Sequence, residues 1–248
     1  ERTFYYRVRT LGASVGGAPG EWSDPVSATT TPYEREGFLT EVQEAGFRYS
    51  YHFAHPVSHL PREGIKATNS WGTDMISAVS TGMYFFNIAV GVERGFITRE
   101  EAAEHVYQAL EFLAYRVDRF HGAFSHWMNG STGEVMPFSP TDDGADLVET
   151  AILAKGLIFA REYFDQTNAE EVEIRKLADG IWGQIEWDRF IDNGTMAWHW
   201  SPQHGFSDLP IVGFNEAEIA YLLAIGSPQH SIDASIYWSG WVGQNVDY

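Results

Sequence analysis

Four carboxylates lie within eight residues at the start of an apolar segment. Positions 142–149 read Asp-Asp-Gly-Ala-Asp-Leu-Val-Glu, so Asp142, Asp146 and Glu149 are spaced four and three residues apart. A helix would stack these three side chains on one face, where like charges repel. A bound metal ion, a proton held between carboxylates, or a pair of acids that cleaves a glycosidic bond would each explain the cluster.

The metal interpretation has little support in the local spacing. The segment lacks the Asp-x-Asp-x-Asp-Gly loop of a calcium site, and no His-x-x-x-His pair for zinc lies near it. We therefore predict no metal and no cofactor. A simpler alternative stays open, in which Asp142 and Asp143 only stabilise a helix N-terminus, by about 0.3–1 kcal/mol. The same alternative applies to Glu216, which follows a potential helix cap at Asn215.

The composition excludes some classes of partner. The chain has 248 residues and a formal net charge of −18, from 16 Lys and Arg against 34 Asp and Glu. This balance argues against nucleic acids and anionic membrane surfaces, since phosphate binding needs clustered cations. No stretch reaches the roughly 18 apolar residues of a membrane span. Neutral sugars are unaffected by the charge, and the 9 Trp and 12 Tyr are residues that pack well on sugar faces.

Residues 1–30 predict a β-hairpin. A β-rich run at 3–9 is followed by a glycine-rich connection from Gly12 to Gly20 and by Trp-Ser-Asp-Pro-Val-Ser at 22–27. This pattern resembles the last hairpin of a fibronectin type III domain. An isolated hairpin is marginal in water, so we expect the remaining strands of a sandwich to precede this chain. The alternative is a free-standing hairpin that decorates the next domain.

After a linker at 31–37, apolar residues recur with the 3.6-residue period of helices. Six helices are predicted: near 38–53, near 73–93, from the capping box Thr98/Glu101, after the acidic cluster, from about Asn168, and from Asn215 with Glu218 in the capping-box position. Two long loops rich in aromatic residues, 117–141 and 191–214, connect them. With no clear strands between the helices, we expect an all-α domain with its function in the loops at one end.

Six segments in this order resemble the glycoamylase-like domain of bacterial proteins, and within it glycoside hydrolase family 144. The resemblance covers residues 38–248, and one departure is His59, where the family usually has glycine. The segments are His55-Pro56-Val57-Ser58 with Arg62-Glu63, 91–98, 118–127, 137–150, Trp198-His199-Trp200-Ser201-Pro202, and Gly213-Phe214-Asn215-Glu216-Ala217.

The resemblance implies an (α/α)6 barrel that cleaves β-1,2-glucan internally with inversion of the anomeric carbon. Six predicted helices are about half of the twelve in such a barrel, so we expect a partial barrel in a chain truncated at both ends. A secreted or periplasmic location in a bacterium is also implied. The implied catalytic residues are Asp142, Asp146, Glu149 and Glu216, and the implied substrate contacts are Arg62, His126, Trp127, Trp198, His199, Trp200 and Asn215.

The roles of the acids stay open at this point. The carboxyl in the drier, more negative surroundings has the higher pKa and serves as the general acid. We predict Glu149 or Glu216 for that role, and Asp142 or Asp146 for the base or water-positioning group. Two alternatives from other classes are a non-catalytic glucan-binding fragment and a transglycosylase or phosphorylase of cyclic β-glucan metabolism.

Overall fold

The computed structural model describes residues 1–9, 20–32, 34–64 and 74–243. Two compact units divide the chain, residues 1–43 and 44–248. Most of the glycine-rich connection, together with the expected start of the second helix at residue 73, falls outside the described residues. Among the described residues, no helix is long and apolar enough to cross a membrane.

The first unit contains the predicted hairpin. Strands β1 (Thr3–Tyr6) and β2 (Val26–Thr29) pair antiparallel, with Thr3 opposite Thr29 and their hydroxyl oxygens 2.8 Å apart. All eight strand residues are exposed, so the hairpin buries little of its own surface. The hairpin is confirmed, and its origin in a fibronectin type III sandwich stays a prediction.

Helices dominate the rest of the chain, as predicted. In chain order, the elements are α1 (Arg35–His52), β3 (Met75–Ser77), α2 (Ala78–Glu93), α3 (Arg99–Tyr115), β4 (Trp127–Asn129), β5 (Val135–Met136), β6 (Ala145–Asp146), α4 (Leu147–Tyr163), α5 (Ala169–Gly183), a 3-10 helix (Trp187–Phe190), β7 (Ile191–Asp192), β8 (Thr195–Met196), β9 (His199–Ser201), β10 (Gly205–Phe206), α6 (Glu218–Gly226) and a π-helix (Tyr237–Val242).

The helices of the second unit form two layers. Helix α4 packs against both α2 and α6, while α3 packs against α5 and α5 returns to α4. The first layer is therefore α2–α4–α6 and the second is α3–α5, an arrangement consistent with part of a helical barrel. Fully buried apolar residues such as Leu110, Leu153 and Leu157 fill the space between the layers.

Helices α2 and α4 approach closely because glycines face each other. A Cβ at Gly82 would lie 2.3 Å from the carbonyl oxygen of Ile152, and one at Gly156 would lie 2.3 Å from the carbonyl oxygen of Gly82. Further along both helices, Phe86 stacks on Phe159 with ring centroids 4.2 Å apart. The helices therefore run in the same direction, and their N-termini lie at the same end of the unit.

Helix starts were predicted with mixed success. The capping box of Thr98 and Glu101 is present, and Asn168 caps α5. The prediction for the last helix was wrong, because α6 begins at Glu218 rather than Asn215. The Asn215 side chain accepts a hydrogen bond from the Ala217 N–H in a preceding turn, and Glu218 accepts one from the Tyr237 hydroxyl instead of closing a capping box.

The prediction that no strands separate the helices was also wrong. Strands β3, β4 and β5 form one three-stranded sheet, and β6, β9 and β10 form another. Each of these strands has two or three residues, too short to show a period of two in the sequence. The sheets fix the entries into helices α2 and α4, since β3 leads directly into α2 and β6 into α4.

Candidate active site

The predicted acid cluster lies at the N-terminus of α4, in a geometry that differs from the expected helix face. Only Glu149 is inside the helix; Asp146 is its N-cap, and Asp142 precedes it in a turn where its backbone pairs with Ser139. The helix starts late because Asp146 pairs with His199 between β6 and β9. All three acids are nevertheless buried, with 8%, 1% and 9% of Asp142, Asp146 and Glu149 exposed.

Two histidines lie between the acids and separate their charges. The Nδ1 atom of His126 is 3.1 Å from Oδ2 of Asp146, and its Nε2 atom is 3.9 Å from Oε1 of Glu149. The Nδ1 atom of His199 is 3.3 Å from Oδ1 of Asp142 and 3.5 Å from Oδ2 of Asp146. Carboxylates that would repel each other in isolation are therefore interleaved with groups that can carry positive charge.

Asp146 is fully engaged by its neighbours. Its Oδ1 accepts hydrogen bonds from the backbone N–H groups of Val148 and Glu149, both at 3.0 Å, and its Oδ2 contacts His126. A carboxylate at a helix N-terminus is also favoured by the helix dipole. These contacts suit Asp146 for holding the site together rather than for exchanging a proton.

Asp142 is the least satisfied of the three acids. Its Oδ1 is buried and has no aligned hydrogen-bond donor among the described residues, although His199 Nδ1 lies 3.3 Å away. That nitrogen also lacks an aligned partner, so the contact does not have the geometry of a hydrogen bond. A buried carboxylate oxygen without a donor is costly, and a water molecule or a sugar hydroxyl would satisfy it.

Glu149 is held between two helix starts. Its Oε2 accepts a hydrogen bond of 2.7 Å from the backbone N–H of Val79 in the first turn of α2. Burial raises the pKa of Glu149 to about 7, with a further rise from Asp146 and an opposing effect of His126. A carboxyl that keeps its proton near neutral pH is suited to general acid catalysis.

Both histidines are more basic than usual. Burial lowers the pKa of His126, but its hydrogen bond to Asp146 and the charges of Glu149 and Asp142 outweigh burial and raise that pKa overall. The pKa of His199 is raised for the same reason, with Asp142 and Asp146 opposing the effect of burial. These imidazoles therefore favour the charged form beside the acids.

One further acid and one backbone donor at the site were not predicted from the sequence. Glu63 lies near the start of α2, where it accepts a hydrogen bond of 3.4 Å from the Ser80 hydroxyl, and its charge adds to the rise in the pKa of Glu149. The Arg62-Glu63 pair was visible as part of a motif, but nothing in the local sequence indicated that Glu63 would lie near Glu149. The Val79 N–H carries no side-chain signal at all.

The contacts of the acid cluster given above do not include three other predicted site residues, Glu216, Asn215 and Arg62. Glu216 and Asn215 are exposed, and among the described residues Glu216 makes no hydrogen bond or ion pair. Arg62 donates to the backbone carbonyl oxygen of Phe53 at 2.7 Å. Their assignment to the site stays a prediction.

The predicted aromatic residues pack against two different groups of side chains, one beside the acids and one away from them. Trp127 and His126 pack on Phe138, with ring centroids 4.7 and 4.5 Å from it, and Phe138 is 51% exposed. This forms an aromatic wall beside the acids. In strand β9, successive side chains alternate, so His199 faces the cluster while Trp200 lies against His121 at 5.0 Å.

His126, Asp142 and Asp146 could each offer one ligand to a metal, because their ligand atoms lie within 4.8 Å of one another. In this structure Nδ1 of His126 contacts Oδ2 of Asp146, while Oδ1 of Asp142 contacts His199, which is not one of the three. The expected absence of a metal and of any cofactor stays a prediction.

Known proteins resemble this chain in both sequence and fold. Residues 208–248 match the glycoamylase family model, described as putative glucoamylase. An exo β-1,2-glucooligosaccharide sophorohydrolase of Parabacteroides distasonis is 42% identical over 245 residues, which is 97% of this chain and 33% of that protein. The chain is similar to glycoamylase-like proteins.

Solved structures extend this result to the fold. A β-1,2-glucanase from Parabacteroides distasonis matches 98% of this chain and 35% of its own, with a TM-score of 0.84 and 41% identity. An endo-β-1,2-glucanase from Chitinophaga pinensis, in complex with sophorotriose and glucose, matches 86% of this chain and 52% of its own, with a TM-score of 0.81 and 34% identity. The chain thus spans a third to a half of the length of these relatives.

Proposed function

We propose that the protein hydrolyses β-1,2-glucan with the acid cluster at the start of α4. The observation that carries this proposal is that one cluster holds Glu149, a buried carboxyl with a pKa of about 7, and Asp142, whose buried Oδ1 lacks an aligned donor. An inverting glycosidase needs this combination, one carboxylic acid to protonate the leaving oxygen and one carboxylate to activate water. The resemblance to β-1,2-glucan-cleaving enzymes supplies the substrate class.

Within this proposal, each acid has a distinct role. Glu149 is the general acid, because its raised pKa keeps a proton available near neutral pH. Asp142 positions or deprotonates the attacking water, because its Oδ1 is the oxygen without an aligned donor. Asp146 orients the histidines and caps the helix. Glu216 stays a candidate for contacting the sugar from the side away from the acid cluster. Its side chain is exposed, so a glucan chain could contact it.

The larger context is proposed on the same basis. Layers α2–α4–α6 and α3–α5 suit about half of an (α/α)6 barrel, and β1–β2 suits the last hairpin of a fibronectin type III domain. A secreted or periplasmic location fits an enzyme that meets a polysaccharide. Internal cleavage remains our expectation; one relative is named as an exo-acting enzyme and another as an endo-acting one.

The proposal is tested by incubating the protein with linear β-1,2-glucan and analysing products by chromatography. We expect short β-1,2-linked oligosaccharides without added phosphate, and none from β-1,3- or β-1,4-glucan. Glu149→Gln and Asp142→Asn should each reduce turnover on the order of 100-fold or more. The matched control is Glu41→Gln, which removes an exposed carboxylate in α1 and should leave turnover unchanged.

Each alternative function predicts a different result in the same experiment. Binding of glucan without products would favour a non-catalytic module. Products that need phosphate, or cyclic products, would favour a phosphorylase or a transglycosylase. Wild-type rates in both Glu149→Gln and Asp142→Asn would contradict the assignment of the site.

A further inference from the structure

His126 directs its two ring nitrogens at two different carboxyl groups. Nδ1 lies 3.1 Å from Oδ2 of Asp146, within hydrogen-bond distance, and Nε2 lies 3.9 Å from Oε1 of Glu149. One imidazole thus links the helix cap to the proposed general acid. The ring is 24% exposed at its side chain, so solvent reaches it while Asp146 is sealed off.

The contacts of Asp146 determine which nitrogen of His126 carries the fixed proton. Both oxygens of Asp146 act as acceptors, Oδ1 for two backbone N–H groups and Oδ2 for the imidazole. Nδ1 must therefore be the donor in this hydrogen bond, and the proton on Nδ1 is held in place. The nitrogen that can gain and lose a proton is therefore Nε2, which faces Glu149.

We propose that His126 is a proton relay that recharges Glu149 after each cleavage, with Asp146 as the positioning residue that fixes its tautomer. This proposal rests on the hydrolytic function given above and deepens it. Inverting hydrolysis leaves the acid deprotonated at the end of each cycle, and a buried carboxylate has restricted access to solvent. A nearby imidazole that is open to solvent on one side removes that restriction.

The proton balance of the relay closes over one turnover. Glu149 gives its proton to the glycosidic oxygen as the C–O bond breaks, and becomes a carboxylate. The attacking water gives one proton to the base, which releases it to solvent. The imidazolium of His126 then transfers its Nε2 proton to Glu149 through one water molecule, because the two atoms lie 3.9 Å apart, and neutral His126 takes a proton from solvent. The Nδ1 proton stays on the hydrogen bond to Asp146 throughout.

The charged groups around His126 support this cycle. The charges of Glu149, Asp146 and Asp142 favour its charged form, and His199 lies on the far side of the two aspartates. Glu63 acts on Glu149 from the start of α2. Trp127 and Phe138 pack against His126 with aromatic rings, which contribute no titrating group of their own.

The first test needs no activity and follows the ionisation of His126 by NMR. In the wild-type protein, we expect the His126 ring signals and the Glu149 carboxyl carbon to titrate as a coupled pair. Glu149→Gln should lower the pKa of His126, because it removes an anionic partner. Reciprocally, His126→Asn should raise the pKa of Glu149, because it removes a cationic one. If neither group responds to loss of the other, the relay is contradicted; the two variants provide independent readings if one fails to fold.

The second test measures turnover with added proton donors. His126→Asn can still donate to Asp146 but has no Nε2, so we expect kcat to fall on the order of 100-fold with little change in KM. Small imidazole buffers should restore part of this loss by protonating Glu149 directly. The matched variant His199→Asn removes the other imidazole of the cluster, and its loss should not be restored.

The outcomes separate the relay from the proposed function. Buffer rescue confined to His126→Asn supports the relay, whereas no rescue, or equal rescue in His199→Asn, overturns it. A wild-type protein that releases no products from β-1,2-glucan would contradict the proposed function instead, while coupled NMR titrations would still show that the ionisations of His126 and Glu149 are linked.

Discussion

Replacing Glu149 by glutamine should inactivate the protein and make it more stable at alkaline pH. The pKa of Glu149 is raised from 4.5 to about 7 in the folded chain, chiefly because the carboxyl is buried. Folding therefore favours the protonated form. As pH rises above 4.5, the unfolded chain loses this proton while the folded chain retains it, so stability falls until the pH passes the folded pKa.

The magnitude follows from the size of the pKa shift. The difference between 4.5 and about 7, at about 1.4 kcal/mol per unit, gives a stability cost of about 3 kcal/mol above pH 7. Glutamine cannot ionise, and its amide oxygen can still accept the hydrogen bond from the Val79 N–H. The variant should thus match the wild type at pH 4 and exceed it by about 3 kcal/mol at pH 8.

Urea unfolding followed by tryptophan fluorescence measures this difference at each pH. Taking variant minus wild type at the same pH cancels the titration of the groups that do not interact with Glu149. Glu216→Gln serves as the control, because Glu216 is exposed and its replacement should change stability by less than about 0.5 kcal/mol at either pH. A Glu149→Gln variant no more stable than wild type at pH 8 would refute the assignment of a raised pKa.

Three further predictions concern other parts of the molecule. Burial lowers the pKa of His105 to about 4. The contribution of His105 to the free energy of unfolding should therefore fall by about 3 kcal/mol as pH drops from 6.5 to 4. Urea unfolding of His105→Asn should show this loss largely removed. Gly82→Ala should destabilise the protein by about 1–3 kcal/mol or more, because the added Cβ would lie 2.3 Å from the Ile152 carbonyl oxygen. The control Gly180→Ala adds a Cβ with nothing within 4 Å, and it should be neutral or slightly stabilising in thermal unfolding. Dialysis against EDTA should leave hydrolysis of β-1,2-glucan unchanged, and a loss restored by one divalent cation would contradict a metal-free site.

Local signals in the sequence were sufficient for most helices. Capping residues such as Thr98 and Asn168 act within their own first turn, so their effect can be predicted without knowing the fold. The short strands β3 and β6 depend instead on partners far along the chain, β4 and β9. No local pattern records such a pairing, which explains why the strands were missed.

The residues of the acid cluster could be predicted from the sequence, but their arrangement could not. The spacing of Asp142, Asp146 and Glu149 singled them out, yet strand pairing at Asp146 delays the helix and leaves Asp142 outside it. Gly144 makes this possible, since a Cβ there would lie 2.2 Å from the Trp200 carbonyl oxygen. That close approach involves a residue more than fifty positions away, beyond the reach of a local pattern.

His59 shows a departure from the family pattern that the structure explains. It stands where the resembling family usually has glycine, and its φ angle of 58° lies in the left-handed region that favours glycine. Its ring packs edge-on against His105 with centroids 5.2 Å apart. A glycine at this position would adopt the same backbone conformation without strain.

The most direct test of the central claim is the configuration of the first products from linear β-1,2-glucan, followed by proton NMR before the anomers equilibrate. Water activated by Asp142 on the face opposite the acid Glu149 would release new reducing ends in the α configuration. We expect this α signal in the wild-type protein and its loss in both Glu149→Gln and Asp142→Asn. Products in the β configuration, or unchanged product formation in those variants, would contradict it.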